Sequence, residues 1–126
     1  MTTTPTSRPI ESHDIHSERL MEHAESQLAA GDRLQASEKA WGAVAHQLKV
    51  IADQRGWEYN KHQHVYGVVR RLTQELGDPD LMKNFIVADG LHKNYYIDLK
   101  PVDQLSVELG LVKDLLEKLK DVANDA

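Results

Sequence analysis

The chain of 126 residues contains no cysteine. Disulfides, thiolate metal sites and thiol nucleophiles are therefore excluded. It has no uninterrupted apolar stretch near the roughly 18 residues that a membrane-spanning helix needs. The first nineteen residues are polar and carry charges of both signs, without the apolar block of a secretory signal. The expectation is a cytoplasmic protein with no membrane partner. Positive charge is scarce too: the formal net charge is −5. A protein that meets nucleic acid over its whole surface is usually basic, so any polyanion must be met in one local groove. Aromatics make up 6% of the residues. No segment shows the alternation of a half-buried strand, and no internal repeat is present.

What remains is helical periodicity. Residues 1–12, with threonine, serine and two prolines, read as a disordered tail. Residues 13–126 read as one domain. A first helix is expected over about His13–Ala30, with a thin stripe of Ser17, Leu20, Ala24 and Leu28 before Gly31. Asp32 caps a second helix, Arg33–Arg55, with Gln35 completing a capping box. Its stripe is Leu34, Trp41, Val44, Ala45, Leu48, Ile51 and Ala52. A second face of Ala36, Ala40 and Ala43 allows close approach of another backbone. Asn60 is expected to cap a third helix with stripe His62, Val65, Val69, Leu72 and Leu76, ended by Gly77. Asp78 and Pro79 open a fourth helix to about Tyr96. The fifth, from near Pro101 to near Val122, carries Val102, Leu105, Leu109, Val112, Leu116 and Leu119, a bundle seam. Links this short make successive helices antiparallel neighbours. The fold class is all-α: an antiparallel up-and-down bundle of four main helices plus an N-terminal helix.

Arg55 ends one apolar stripe and His62 begins the next, across the link Gly56–Asn60. The dipole of the second helix favours a cation at Arg55, and that of the third favours a neutral imidazole at His62. A neutral ring can accept a proton as a general base, and Arg55 can clamp an anion. The same pair can simply hold a turn together, with Arg55 on Glu58 or on helix-end carbonyls. Trp57, in the link, either covers this corner or meets a second subunit. Arg70 and Arg71, with Lys61, form a modest basic patch in which one arginine is expected to pair with an acid. His64 is expected to face solvent or a partner along with Arg71. It points about 200° away from His62 on a helix, so the two do not share a metal, and no metal or cofactor is expected.

Asp89, His92 and Tyr96 lie three and four apart, on one helix face. They fit either a satisfied contact between helices or a ligand site in which Asp89 orients His92 and Tyr96 donates. Trp41 reads as core, and His46 as a surface or subunit-contact residue.

The blocks GDRLQASEKAWGAVAHQLKVIADQRGW, HQHVYGVVRRLTQELGD and ADGLHKNYYIDL resemble the HEPN superfamily of small helical domains, most closely its PaREP-type and similar uncharacterised members. The resemblance spans roughly residues 18–120. It implies a bundle of four or five helices, commonly dimeric. Many members are ribonucleases that use an arginine followed, after four to six residues, by a histidine; Arg55 and His62 match at the long end of that spacing. The residue after the arginine is Gly56 rather than the usual polar one. The functional expectation is a bundle that acts by binding a protein, nucleotide or RNA partner, as a homodimer. The alternative is a metal-independent ribonuclease using Arg55 and His62.

Overall fold

The computed structural model describes the backbone of residues 7–98 and 100–125, and the side chains there except those of residues 7–14 and Tyr96. Five helices follow in order: α1 (Ser7–Ala29), α2 (Arg33–Arg55), α3 (His62–Leu76), α4 (Pro79–Ile97) and α5 (Val102–Asn124). They form an all-α bundle with no strand among the described residues.

α1 begins at Ser7, so residues 7–12, expected in a tail, are helical; residues 1–6 lie outside the described part. Pro9 falls in the first turn, where the N–H it lacks has no acceptor within the helix in any case. The capping of α2 and α4 is as the sequence indicates. The Asp32 carboxylate accepts from the Gln35 N–H at 3.1 Å, and the Asp78 carboxylate accepts from the Asp80 N–H at 3.1 Å. Gly56 and Gly77 close α2 and α3 in the left-handed region, at φ 69° and 61°. Asn60 does not cap α3, however: the cap is Lys61, whose side chain makes no capping bond. From inside the first turn, the His64 Nδ1 accepts from the Asn60 backbone N–H at 3.3 Å.

α2 is the centre of the bundle, in contact with each of the other four helices. Ala36, Ala40 and Ala43 are fully buried together with Val44, Leu48, Ile51 and Ala52, so both its small-residue and its large-residue faces are covered. Its most extensive interface is with α1. There the Ser17 hydroxyl donates to Gln47 Oε1 at 3.0 Å, in the core, and the His16 ring meets His46 edge-on at 4.6 Å between centroids. α5 seals the bundle with Leu105, Leu109, Val112, Leu115, Leu116 and Leu119, whereas Val102, the expected start of that seam, is 46% exposed. Leu76 is also exposed, being the last residue of α3 before its glycine cap.

α3 is attached differently. It packs more on α4 than on α2, although only the link Gly56–Lys61 separates it from α2. Phe85, fully buried on α4, is met edge-on by Tyr66 of α3 at 4.8 Å and at a tilt by Trp41 of α2 at 5.9 Å. One ring thus joins three helices. Phe85→Ala is expected to lower unfolding stability by about 3–5 kcal/mol, as emptying a large core site does. Urea denaturation checks this, and a loss below about 1 kcal/mol would mean that the junction is not packed as described.

Candidate functional site

The link between α2 and α3 is folded back onto α2. The Trp57 N–H donates to the Ala52 carbonyl at 2.9 Å. The Tyr59 hydroxyl donates to the Ala45 carbonyl at 2.8 Å, and burial pushes that hydroxyl's pKa well above the usual tyrosine value. These bonds hold the Trp57 indole against the edge of the core. The Arg55 guanidinium carbon sits 5.2 Å from its ring centroid and that of Arg71 sits 5.0 Å away, both within cation–π range. Because α3 leans toward α4, an open groove of about 390 Å³ remains beside this indole, lined by Gly56, Trp57, Glu58, Gln63, His64, Gly67, Val68 and Arg71.

His64 and Arg71 reach the groove from α3, on one face with Gly67 between them. The His64 Nε2 lies 3.3 Å from a Glu58 carboxylate oxygen. With Nδ1 accepting from the backbone, its proton sits on Nε2, toward that carboxylate. Arg71 is exposed, and among the described residues no carboxylate lies within ion-pair distance of it; the same holds for Arg70. The expected acid partner for one of this pair is therefore not there. Their acid-bearing neighbour on α3, Glu75, is instead taken by Arg55, whose hydrogen bond lowers the pKa of the Glu75 carboxyl.

Arg55 and His62 consequently belong to two separate groups. Arg55 turns to Glu75 and Trp57 rather than to Glu58, while His62 turns toward α4. Its Nε2 lies 3.3 Å from Asp89 Oδ1. Asp89 is a buried carboxylate, 2% exposed. Its Oδ2 accepts from the Tyr66 hydroxyl at 2.6 Å and lies 3.3 Å from the Lys93 ammonium. Asp89 does not orient His92. The His92 Nδ1 lies 3.1 Å from Glu38 Oε1 on α2, and its ring stacks on Trp41 at 4.9 Å and on His62 at 5.8 Å. The side chain of Tyr96 lies outside the described ones.

Not expected from the residues were Gly67, Gln63 and Val68 in the groove, and Tyr66 and Glu38 around the histidines. Lys93 was expected near Asp89 and sits four positions after it on one helix, where opposite charges meet. Gly67 carried a signal, as a glycine in the middle of an apolar helical pattern. Glu38 lies 54 positions from His92, and nothing local marks it. No group of three or more metal-binding side chains occurs among the described residues.

Burial by itself raises the Asp89 carboxyl pKa. The Tyr66 hydroxyl, the Lys93 ammonium and the His62 ring outweigh it, so the group is held below the ordinary carboxylate value. In return the Tyr66 hydroxyl is pushed up to about 12, by burial first and then by its bond to Asp89 and that carboxylate's charge. A carboxyl whose pKa is lowered on folding contributes stability above its unfolded pKa, and that contribution is lost as pH falls through the folded value. Asp89→Asn is therefore expected to cost about 1–3 kcal/mol at neutral pH, with the gap to wild type closing below about pH 4. Denaturation at both pH values tests this; a gap that stays constant would contradict it.

No curated protein and no solved structure matches the chain. A protein-family match does cover most of it, over residues 13–116. The match takes in α2, α3 and α4 whole and most of α1 and α5, and so the groove and the Asp89 cluster alike. On that match, this five-helix chain belongs to the Archaeal PaREP1/PaREP8 family.

Proposed function

We propose that the chain acts by binding, and that the α2–α3 groove takes a nucleotide or a segment of RNA. The observation that carries this reading is Arg71. Its guanidinium lies over the Trp57 ring at the groove wall, with no carboxylate within ion-pair distance among the described residues. A guanidinium without an acid partner beside an indole suits a ligand with a phosphate and a planar base, since phosphate meets the fork of N–H donors and a base meets an aromatic surface. The groove volume falls within the roughly 300–1,000 Å³ of small-ligand pockets.

Charge agrees locally. Around the corner stand Arg55, Lys61, Arg70 and Arg71 against Glu58 and Glu75, in a chain whose total is −5. These charges run along α3, the link before it and the end of α2. As a homodimer, the chain would present two such grooves to one ligand.

The alternative, a metal-independent ribonuclease using Arg55 and His62, has less behind it. Arg55 is engaged by Glu75 and His62 by Asp89, and neither lines the groove.

The test is fluorescence anisotropy with a short labelled oligoribonucleotide across a salt series. Saturable binding that weakens with salt is expected. Arg71→Ala is expected to weaken it about tenfold and to reduce the slope of log affinity against log salt by about 1, as losing one phosphate contact does. Absence of saturable binding by the wild type, or an Arg71→Ala variant that binds unchanged, would refute the reading.

A further inference from the structure

Both nitrogens of the His64 ring are in use. Nδ1 accepts from the Asn60 backbone N–H, and Nε2 carries its proton toward the Glu58 carboxylate at 3.3 Å. The Asn60 N–H is a backbone donor at the start of α3, where Lys61 makes no side-chain capping bond. Only a neutral imidazole can make this pair of contacts, because an imidazolium carries a proton on each nitrogen and accepts nothing. Protonation sets two N–H donors against each other at Nδ1 and Asn60. It also turns the contact with Glu58 into an ion pair.

That exchange takes place on the groove wall, which Glu58 and His64 form together with Arg71. The charged groups at the groove and beside it are Glu58 from the link, Arg55 from the end of α2, and Lys61, Arg71 and Glu75 from α3. Arg55 and Glu75 are taken by each other. With His64 neutral, the exposed Glu58 carboxylate borders the same volume as Arg71 and opposes an arriving anion. With His64 charged, that carboxylate is balanced, and the Nδ1–H released from Asn60 is a further donor beside Arg71.

We propose that His64 couples this groove to pH: it binds a phosphate-bearing ligand weakly while the ring is neutral and more tightly once the ring is protonated. This rests on the binding reading above and adds a regulation of the same site.

The experiment measures binding of a labelled oligouridylate at about pH 5.5 and about pH 8, across the range where imidazoles titrate. The bases and phosphodiesters of that probe keep their charge throughout. Wild type is compared with His64→Gln and His23→Gln. His23 is exposed on α1, so its variant removes an imidazole without touching the groove. Wild type and His23→Gln should bind about tenfold more tightly at the lower pH, with a slope of log affinity against log salt steeper by about 1, as one added charge at the ligand gives. In His64→Gln most of that gain should vanish. Without ligand, the Asn60 amide signal of the wild type should follow the titration of the His64 ring. If the wild type binds equally at both pH values, the inference fails and the binding reading stands. The same holds if His64→Gln keeps the gain, or if the Asn60 amide stays in place while the ring titrates. If the wild type binds at neither pH, both fall together.

Discussion

The carboxylate of Asp89 sets the geometry on which the rest depends. It lies buried on α4, accepts from the Tyr66 hydroxyl of α3, and lies 3.3 Å from both the His62 ring of α3 and the Lys93 ammonium of its own helix. An unpaired buried carboxylate is strongly disfavoured, so the two helices must present their donors to it together. α3 is thereby committed to α4. The groove lies between α3 and the link that precedes it. Phe85 adds the apolar half of the same attachment, beneath Tyr66 and Trp41. Groove and cluster are two sides of one choice of packing partner.

The histidines divide accordingly. His62 and His64 are two positions apart on a helix, so they point in nearly opposite directions, and each finds its own acid. His62 joins the α3–α4 seam at Asp89, while His64 turns to Glu58 and the backbone of the link. His92 closes the seam from the other side through Glu38, with its ring between Trp41 and His62. The imidazoles nearest the core are thus occupied in holding helices together. Arg70 and Arg71 are among the exposed cations that have no acid within ion-pair distance among the described residues, as are Arg19, Lys49 and Lys61. That division directs attention to the groove rather than to the Arg55–His62 corner.

Much of the fold was legible in the residues because it depends on neighbours in sequence. Asp32 with Gln35, Gly56, Asp78 with Pro79, and the leucine seam of α5 are local signals, and each element they mark is present. The errors have a common origin. Asn60 has the right side chain for a cap, but a ring from His64 satisfies its N–H, and the helix starts at His62. Glu58 is only three positions from Arg55 in sequence, yet it is Glu75, twenty positions on, that Arg55 bonds. Asp89 and His92 are neighbours on one helix, but tertiary partners claim them separately. The candidate site was legible as a list of residue types, with Trp57, His64 and Arg71 among them. Its arrangement was not, because long-range ion pairs decide which groups are left free.

On the proposed function, a nucleotide-type ligand sits between Trp57 and α3. Amide chemical shifts of the labelled protein, followed while a mononucleotide is added, test it most directly. The Gly67 and Arg71 amides and the Trp57 indole N–H are expected to move together and saturate, while the amides around Asp89 and Lys93 stay in place. Movement centred on the Asp89 cluster, with the groove signals unchanged, would contradict it.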